Sequence, residues 1–107
     1  MATPKEIFEE QISRRISQDT EKAKAVGAVY KFVVTGDNGG TWVINLKDSV
    51  GVTEGDASAD CTITVGSQDI VDVVSGKLSP QMAFMSGKLK IAGNMGLAMK
   101  LGQVLGQ

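Results

Sequence analysis

The chain has 107 residues, 42% hydrophobic and 21% charged, the proportions of one globular domain with a single core. Its net charge of −1 sets up no field to draw in nucleic acid, and no such partner is expected. With no histidine and one cysteine, the sequence excludes a Ser-His-Asp triad, a Cys-His pair, a histidine metal site and an internal disulfide.

The first element is a helix. Thr3 can cap it, Pro4 suits the first helical position, and Glu6 completes a capping box. Phe8, Ile12 and Ile16 then form an i, i+4 apolar stripe. The polar stretch 17–24 holds a break or a second short helical turn. Residues 28–35, AVYKFVVT, are β-branched and aromatic and read as a strand. The run Gly36-Asp37-Asn38-Gly39-Gly40 supplies the positive φ angles of a hairpin. In 41–47, TWVINLK, Trp42, Ile44 and Leu46 go to one side, and Thr41, Val43, Asn45 and Lys47 to the other. That is a half-buried antiparallel strand. A short third strand follows at 50–53. Cys61, Ile63 and Val65 alternate with Thr62 and Thr64 in a fourth.

The segment after Ser67-Gln68-Asp69 is rich in valine, which suits a strand. The Ser cap, the early Asp and the closing Gly76 argue for a helix, and a helix is expected. Ser79-Pro80 opens another short helix, QMAFMS, ended by Gly87. Leu89 and Ile91 alternate with Lys88 and Lys90 in a last strand, and Asn94 caps a final helix. Strands cluster first and helices later, an α+β layout in one domain over 1–107.

Little in this order suggests catalysis. TGDNGG lacks the Gly-Lys-Ser/Thr of a phosphate loop and sits between two strand patterns, so it reads as a hairpin. Glu9 and Glu10 are adjacent on a helix and diverge by about 100°, which is not a paired acid and base. Asp37, Asp48, Glu54, Asp56 and Asp60 lack EF-hand spacing. Cys61 reads as a small core residue. No enzyme activity, cofactor or metal is expected.

The N-terminal MATPKEIFEE has no basic segment followed by an apolar one, and the C-terminal Leu-Gly-Gln is not a peroxisomal address. No apolar run approaches the ~20 residues of a membrane span. A cytoplasmic protein is expected. Charge is uneven, however. No Asp or Glu follows Asp72, while Lys77, Lys88, Lys90 and Lys100 do, leaving +4 on the last third and −5 before it. The lysines are either a solvated face or a weakly basic end that meets anionic lipid headgroups through Lys88, Lys90 and Lys100.

The final helix is too apolar for one buried face. At 100° per residue from Met95, the residues Leu97, Ala98, Met99, Leu101, Val104 and Leu105 complete an arc of about 220°, against the ~100° stripe of a surface helix. Met82 and Met85 precede it, so four of the five methionines follow residue 80. Methionine adapts to variable apolar guests. Three accounts fit: a helix set deep in the core, a homodimer face, or a wall around an apolar ligand.

The stretch SPQMAFMSGKLKIAGNMGLAMKLGQVL, 79–105, strongly resembles the end of the type-two sterol carrier, or non-specific lipid-transfer, family. The strand pair AVYKFVVTG and GGTWVINLKD and the strand ADCTITV resemble its first half. The resemblance implies a five-stranded, mostly antiparallel sheet with helices on one face and a C-terminal helix closing a hydrophobic tunnel. It implies non-catalytic binding and transfer of a fatty acid, acyl-CoA, sterol or phospholipid. Met82, Phe84, Met85, Met95, Leu97, Met99 and Leu101 lie in the matching motif. Phe32, Trp42 and Ile44 are sheet-side walls, and Gln81 a hydrogen-bond donor to a ligand headgroup. Many relatives are fused to thiolase or multifunctional oxidation enzymes and carry a peroxisomal tail. This chain resembles a stand-alone, bacterial-type member, a monomer that transfers lipid freely or presents acyl substrates to a partner enzyme. The alternative is a non-enzymatic homodimeric module with a Met-rich apolar face.

Overall fold

The computed structural model describes residues 3–47, 50–97 and 100, with the backbone alone at Pro80. Three helical stretches, Pro4–Glu6, Ile7–Ile12 and Ser13–Gln18, follow one another without a break and form α1. Thr3 Oγ1 accepts from the Glu6 N–H at 3.3 Å, so the sequence cap is in place. The middle stretch has π-helical winding, which a stripe of Phe8, Ile12 and Ile16 does not announce. The wider turn brings Ile7 inside together with those three. Asp19 breaks the helix and caps α2, Thr20–Val26, by accepting from the Lys22 N–H at 3.0 Å.

Five strands follow: β1 Val29–Thr35, β2 Gly40–Asn45, β3 Gly51–Glu54, β4 Cys61–Gly66 and β5 Leu89–Gly93. Their order in the sheet is β3-β2-β1-β4-β5. All neighbours are antiparallel except β1 and β4, which run parallel. The hairpin between β1 and β2 places Asn38 at φ 59° and Gly36 at φ 92°, the angles these residue types tolerate. The link from β3 back to the parallel β4 is fastened at its end, where Val29 and Asp60 exchange hydrogen bonds of 2.8 and 3.0 Å.

Register aligns the apolar alternation of every strand on one face. Tyr30 lies between Ile44 and Cys61, Phe32 between Trp42 and Ile63, and Val34 beside Val65, which faces Leu89. All of these are buried, and together with α1 they form the core. Phe8 is the pivot of that contact. Its ring stacks on Trp42 at 5.0 Å and meets Phe32 at 5.0 Å and 57°. On the opposite face Val43 is also buried, while Lys31, Val33, Thr62 and Thr64 are half-buried.

Two helices lie between β4 and β5. The first, α3 (Ser67–Val74), is a helix despite its valines and buries Ile70, Val73 and Val74. Its start departs from the sequence expectation. The cap position is Gly66 and no side chain caps it, because Gly66 is still the last paired residue of β4, extended at ψ 154°. Ser67 and Asp69 therefore fall inside the first turn. The second, α4 (Pro80–Met85), is capped as expected: Ser79 Oγ accepts from the Met82 N–H at 3.3 Å. Gly76 at φ 86° and Gly87 at φ 79° end the two helices.

Candidate functional site

The region to which the sequence points is built where β5, α4 and the chain after β5 meet. The exit from β5 is fixed by sterics. Gly93 has φ +112°, and a Cβ on it would lie 2.7 Å from the Asp60 carbonyl oxygen and 3.2 Å from the Cys61 Cα. Only glycine fits there without displacing the β4 backbone. Asn94 then caps the next turn: its Oδ1 accepts from the N–H groups of Gly96, at 2.8 Å, and Leu97, at 3.3 Å. Residues 95–97 are helical, so the expected cap is present. Ala98, Met99 and 101–107, including Leu101, lie outside the described residues.

One further bond aims this segment at the sheet. The Tyr30 hydroxyl, from the middle of the core face, donates to the carbonyl oxygen of Leu97. Tyr30 is fully buried and Leu97 packs against the core cluster. Burial, with smaller effects from Cys61 and Asp60, pushes the Tyr30 hydroxyl up from 10.0 to about 12. It is therefore a neutral donor throughout the physiological range. Sequence reasoning passed over this residue. The signal was available: a lone tyrosine on the buried parity of a strand needs a partner for its hydroxyl. The identity of that partner, 67 residues away, was not readable. Glu9, no acid–base partner for Glu10, has a packing role that the sequence did not signal. It accepts from the Trp42 indole Nε1–H at 3.1 Å. That bond and Lys5 at 3.5 Å hold the Glu9 carboxyl below its ordinary range, against partial desolvation.

The expected site residues divide into two groups. Phe32, Trp42 and Ile44 sit together on the inner sheet face and are buried. Leu97 lies on the same side. By contrast α4 turns only Ala83 fully inward. Met82, Phe84 and Met85 keep 58%, 40% and 72% of their surface exposed, Met95 keeps 43%, and Gln81 is exposed as well. Lys88, Lys90 and Lys100 are exposed. An open depression of about 440 Å³ elsewhere, along α1, is lined by Glu6, Glu10, Gln11, Arg14, Arg15 and Gln18. Its lining is too polar to hold an apolar chain. Among the described residues no His, Cys, Asp and Glu side chains gather as a metal site, and no helix is long and apolar enough to cross a membrane.

Comparison with known proteins decides what this arrangement belongs to. The family model described as the SCP-2 sterol transfer family matches residues 9–106. The chain belongs to the SCP-2 sterol transfer family. Rat (Rattus norvegicus) sterol carrier protein 2 is 45% identical over 101 residues, which is 89% of this chain. The chain spans only 18% of that relative's length, and 26% of a Xenopus laevis hydroxysteroid dehydrogenase-like protein 2 that it also matches. The fold agrees with that of other family members. The sterol carrier protein domain 2 of Helicoverpa armigera superposes with a TM-score of 0.77 at 42% identity, covering 99% of this chain and 94% of the other. A palmitated SCP2L2 from Aedes aegypti gives 0.70 at 28% identity, covering 92% and 94%. The five-stranded, mostly antiparallel sheet with helices on one face is thus the family architecture.

Proposed function

We propose that this domain binds one long acyl chain without covalent chemistry and carries it, as a non-catalytic cytoplasmic lipid carrier. The observation that supports this most is the pairing of an entirely apolar inner sheet face with a separately fastened segment after β5, which Tyr30 holds over that face. The palmitated Aedes relative supports the choice of ligand class.

In this reading α1 packs on part of the face through Phe8, which meets Phe32 and Trp42, and the acyl chain runs beside that contact across β2, β1 and β4 toward β5. Phe32, Ile44 and the Tyr30 ring form its floor, and Trp42 its far wall. Ile91 points inward from β5 and is half-buried, which is consistent with a chain passing beside it. Leu97, which packs against the core cluster, forms the roof. Met82, Phe84 and Met85 flank the mouth, and Gln81 is placed to reach a headgroup there. Each buried methylene contributes about 0.8 kcal/mol, so a sixteen-carbon chain gains on the order of 12 kcal/mol gross. Ordering and association remove much of this, leaving affinities on the order of micromolar to nanomolar.

No constellation of nucleophile, base and orienting group is needed. Specificity comes from shape and from the absence of water, and release requires the segment after β5 to lift. Whether the chain delivers its ligand to a membrane or presents it to a partner enzyme, the binding step is the same. Isothermal titration with palmitate below its aggregation limit tests the reading. One site per monomer, saturable and accompanied by a negative heat-capacity change, is expected. No heat and no competition with a fluorescent fatty acid would defeat it.

A further inference from the structure

The sulfur atoms of the chain divide between inside and outside. Cys61 is 1% exposed and belongs to the core. Burial, with a smaller effect of Asp60, raises its thiol above the ordinary value. A buried, protonated thiol is inert. Met85, Met82 and Met95 instead keep 72%, 58% and 43% of their surface exposed. Oxidation of sulfur follows access. Among the described residues it therefore falls on these thioethers and spares Cys61.

Met82 and Met85 are three residues apart on α4 and share one side of it. Neither side chain holds the helix in place. The fully buried residue of α4 is Ala83, whose carbonyl accepts from the Lys88 N–H at 2.9 Å. The backbone of Met82 is tied at both its groups. Its N–H donates to Ser79 Oγ at 3.3 Å, and its carbonyl accepts from the Ser86 hydroxyl at 2.9 Å. In a core, turning a thioether into a polar sulfoxide disrupts packing. On this side of α4 the sulfoxide meets water, and the contacts that hold the helix stay in place.

We propose that Met82 and Met85 reduce acyl hydroperoxides carried by the domain, giving the acyl alcohol and methionine sulfoxide. The thioether lone pair attacks the distal oxygen of the hydroperoxide. An S–O bond forms, the O–O bond breaks, and the departing alkoxide takes up the hydroperoxide's proton through water. Sulfur loses two electrons and the peroxide gains two, so no further reactant is required. Each methionine acts once, until a thiol-dependent sulfoxide reductase restores it. The reaction asks for no histidine, and the chain has none. Delivery of the hydroperoxide rests on the lipid-carrier reading, in which these two side chains flank the mouth of the acyl site; the reactivity of the thioethers does not.

The test treats the purified chain with linoleic acid hydroperoxide and, separately, with hydrogen peroxide. Peptide mass spectrometry locates the added oxygen, and chromatography measures the hydroxy acid formed. With the acyl hydroperoxide, the first oxygen should appear on Met82 and Met85, with one hydroxy acid per sulfoxide. A bound hydroperoxide meets the thioethers at an effective concentration on the order of 1 mM, against about 10 μM of free reagent, so saturating palmitate should slow the acyl reaction about 100-fold. Oxidation by hydrogen peroxide should be nearly unchanged by palmitate. The Met82→Leu/Met85→Leu variant keeps apolar side chains and removes both sulfurs, and it should form almost no hydroxy acid. First oxidation at Met95 or Cys61, an undiminished yield from the leucine variant, or an acyl reaction that bound palmitate does not slow overturns the proposal. The last of these, beside a palmitate titration that shows one site, leaves the carrier reading standing. A titration that shows no palmitate binding defeats both.

Discussion

Removing the Tyr30 hydroxyl probes the coupling between sheet and roof. Tyr30→Phe keeps the buried ring, so its packing against the core face is retained. What is lost is the single hydroxyl bond to the Leu97 carbonyl. A net hydrogen bond contributes about 1 kcal/mol, and a part-buried carbonyl left without its partner raises the cost to about 1–2 kcal/mol. If the bond holds down only the segment after β5, this cost appears as local opening. The amides of Gly96 and Leu97, which otherwise donate to Asn94, should exchange with solvent about 5–30-fold faster. Amides of β1 and β4 should keep their protection relative to one another. The release rate of bound palmitate, followed by stopped-flow transfer to acceptor vesicles, should rise by a comparable factor. Hydrogen exchange read by NMR checks the first claim and stopped-flow the second. Unchanged exchange at Gly96 and Leu97, in a variant whose core is as protected as the parent, would show that Tyr30 does not fasten this segment.

Other outcomes follow from the same geometry. Tyr30 is the chain's one tyrosine, so ultraviolet difference titration reports it alone; it should ionise near 12 and not near 10. Because the folded value is the raised one, its stabilising effect is complete below pH 10 and is lost as pH rises from there through about 12. Gly93→Ala should lower the thermal midpoint by several degrees or prevent folding, since its Cβ would meet the Asp60 carbonyl at 2.7 Å at a φ of +112°; a variant as stable as the parent contradicts that contact. Phe8→Ala should cost about 3–5 kcal/mol in urea unfolding and shift Trp42 emission to the red, because the stacked ring shields that indole; unshifted emission in the folded variant counts against the stack.

The fold was legible wherever one periodicity met one buried face. The alternations of Tyr30, Phe32 and Val34, of Trp42, Ile44 and Leu46, and of Cys61, Ile63 and Val65 state their own parity, and all nine residues are buried. Caps at Thr3, Ser79 and Asn94 were local signals and held. Partners distant along the chain were not readable. The parallel pairing of β1 with β4 depends on where the link after β3 returns, and no residue pattern states that register. The outward turn of Met82, Phe84 and Met85 was hidden for another reason. A six-residue helix has too few turns to reveal a face, and Ala83, its fully buried residue, is the least conspicuous. The Tyr30–Leu97 bond joins both difficulties, being nonlocal and dependent on the chain after β5.

The most direct test of the central claim is isotope-filtered NMR of the protein with ¹³C-labelled palmitate, reading contacts from the ligand methylenes to protein side chains. The account predicts contacts to Tyr30, Phe32, Ile44, Ile91 and Leu97, and none to Val33 or Thr64 on the opposite sheet face. Contacts confined to Met82 and Met85, with the inner face silent, would contradict it by placing the acyl chain on the outside of the domain.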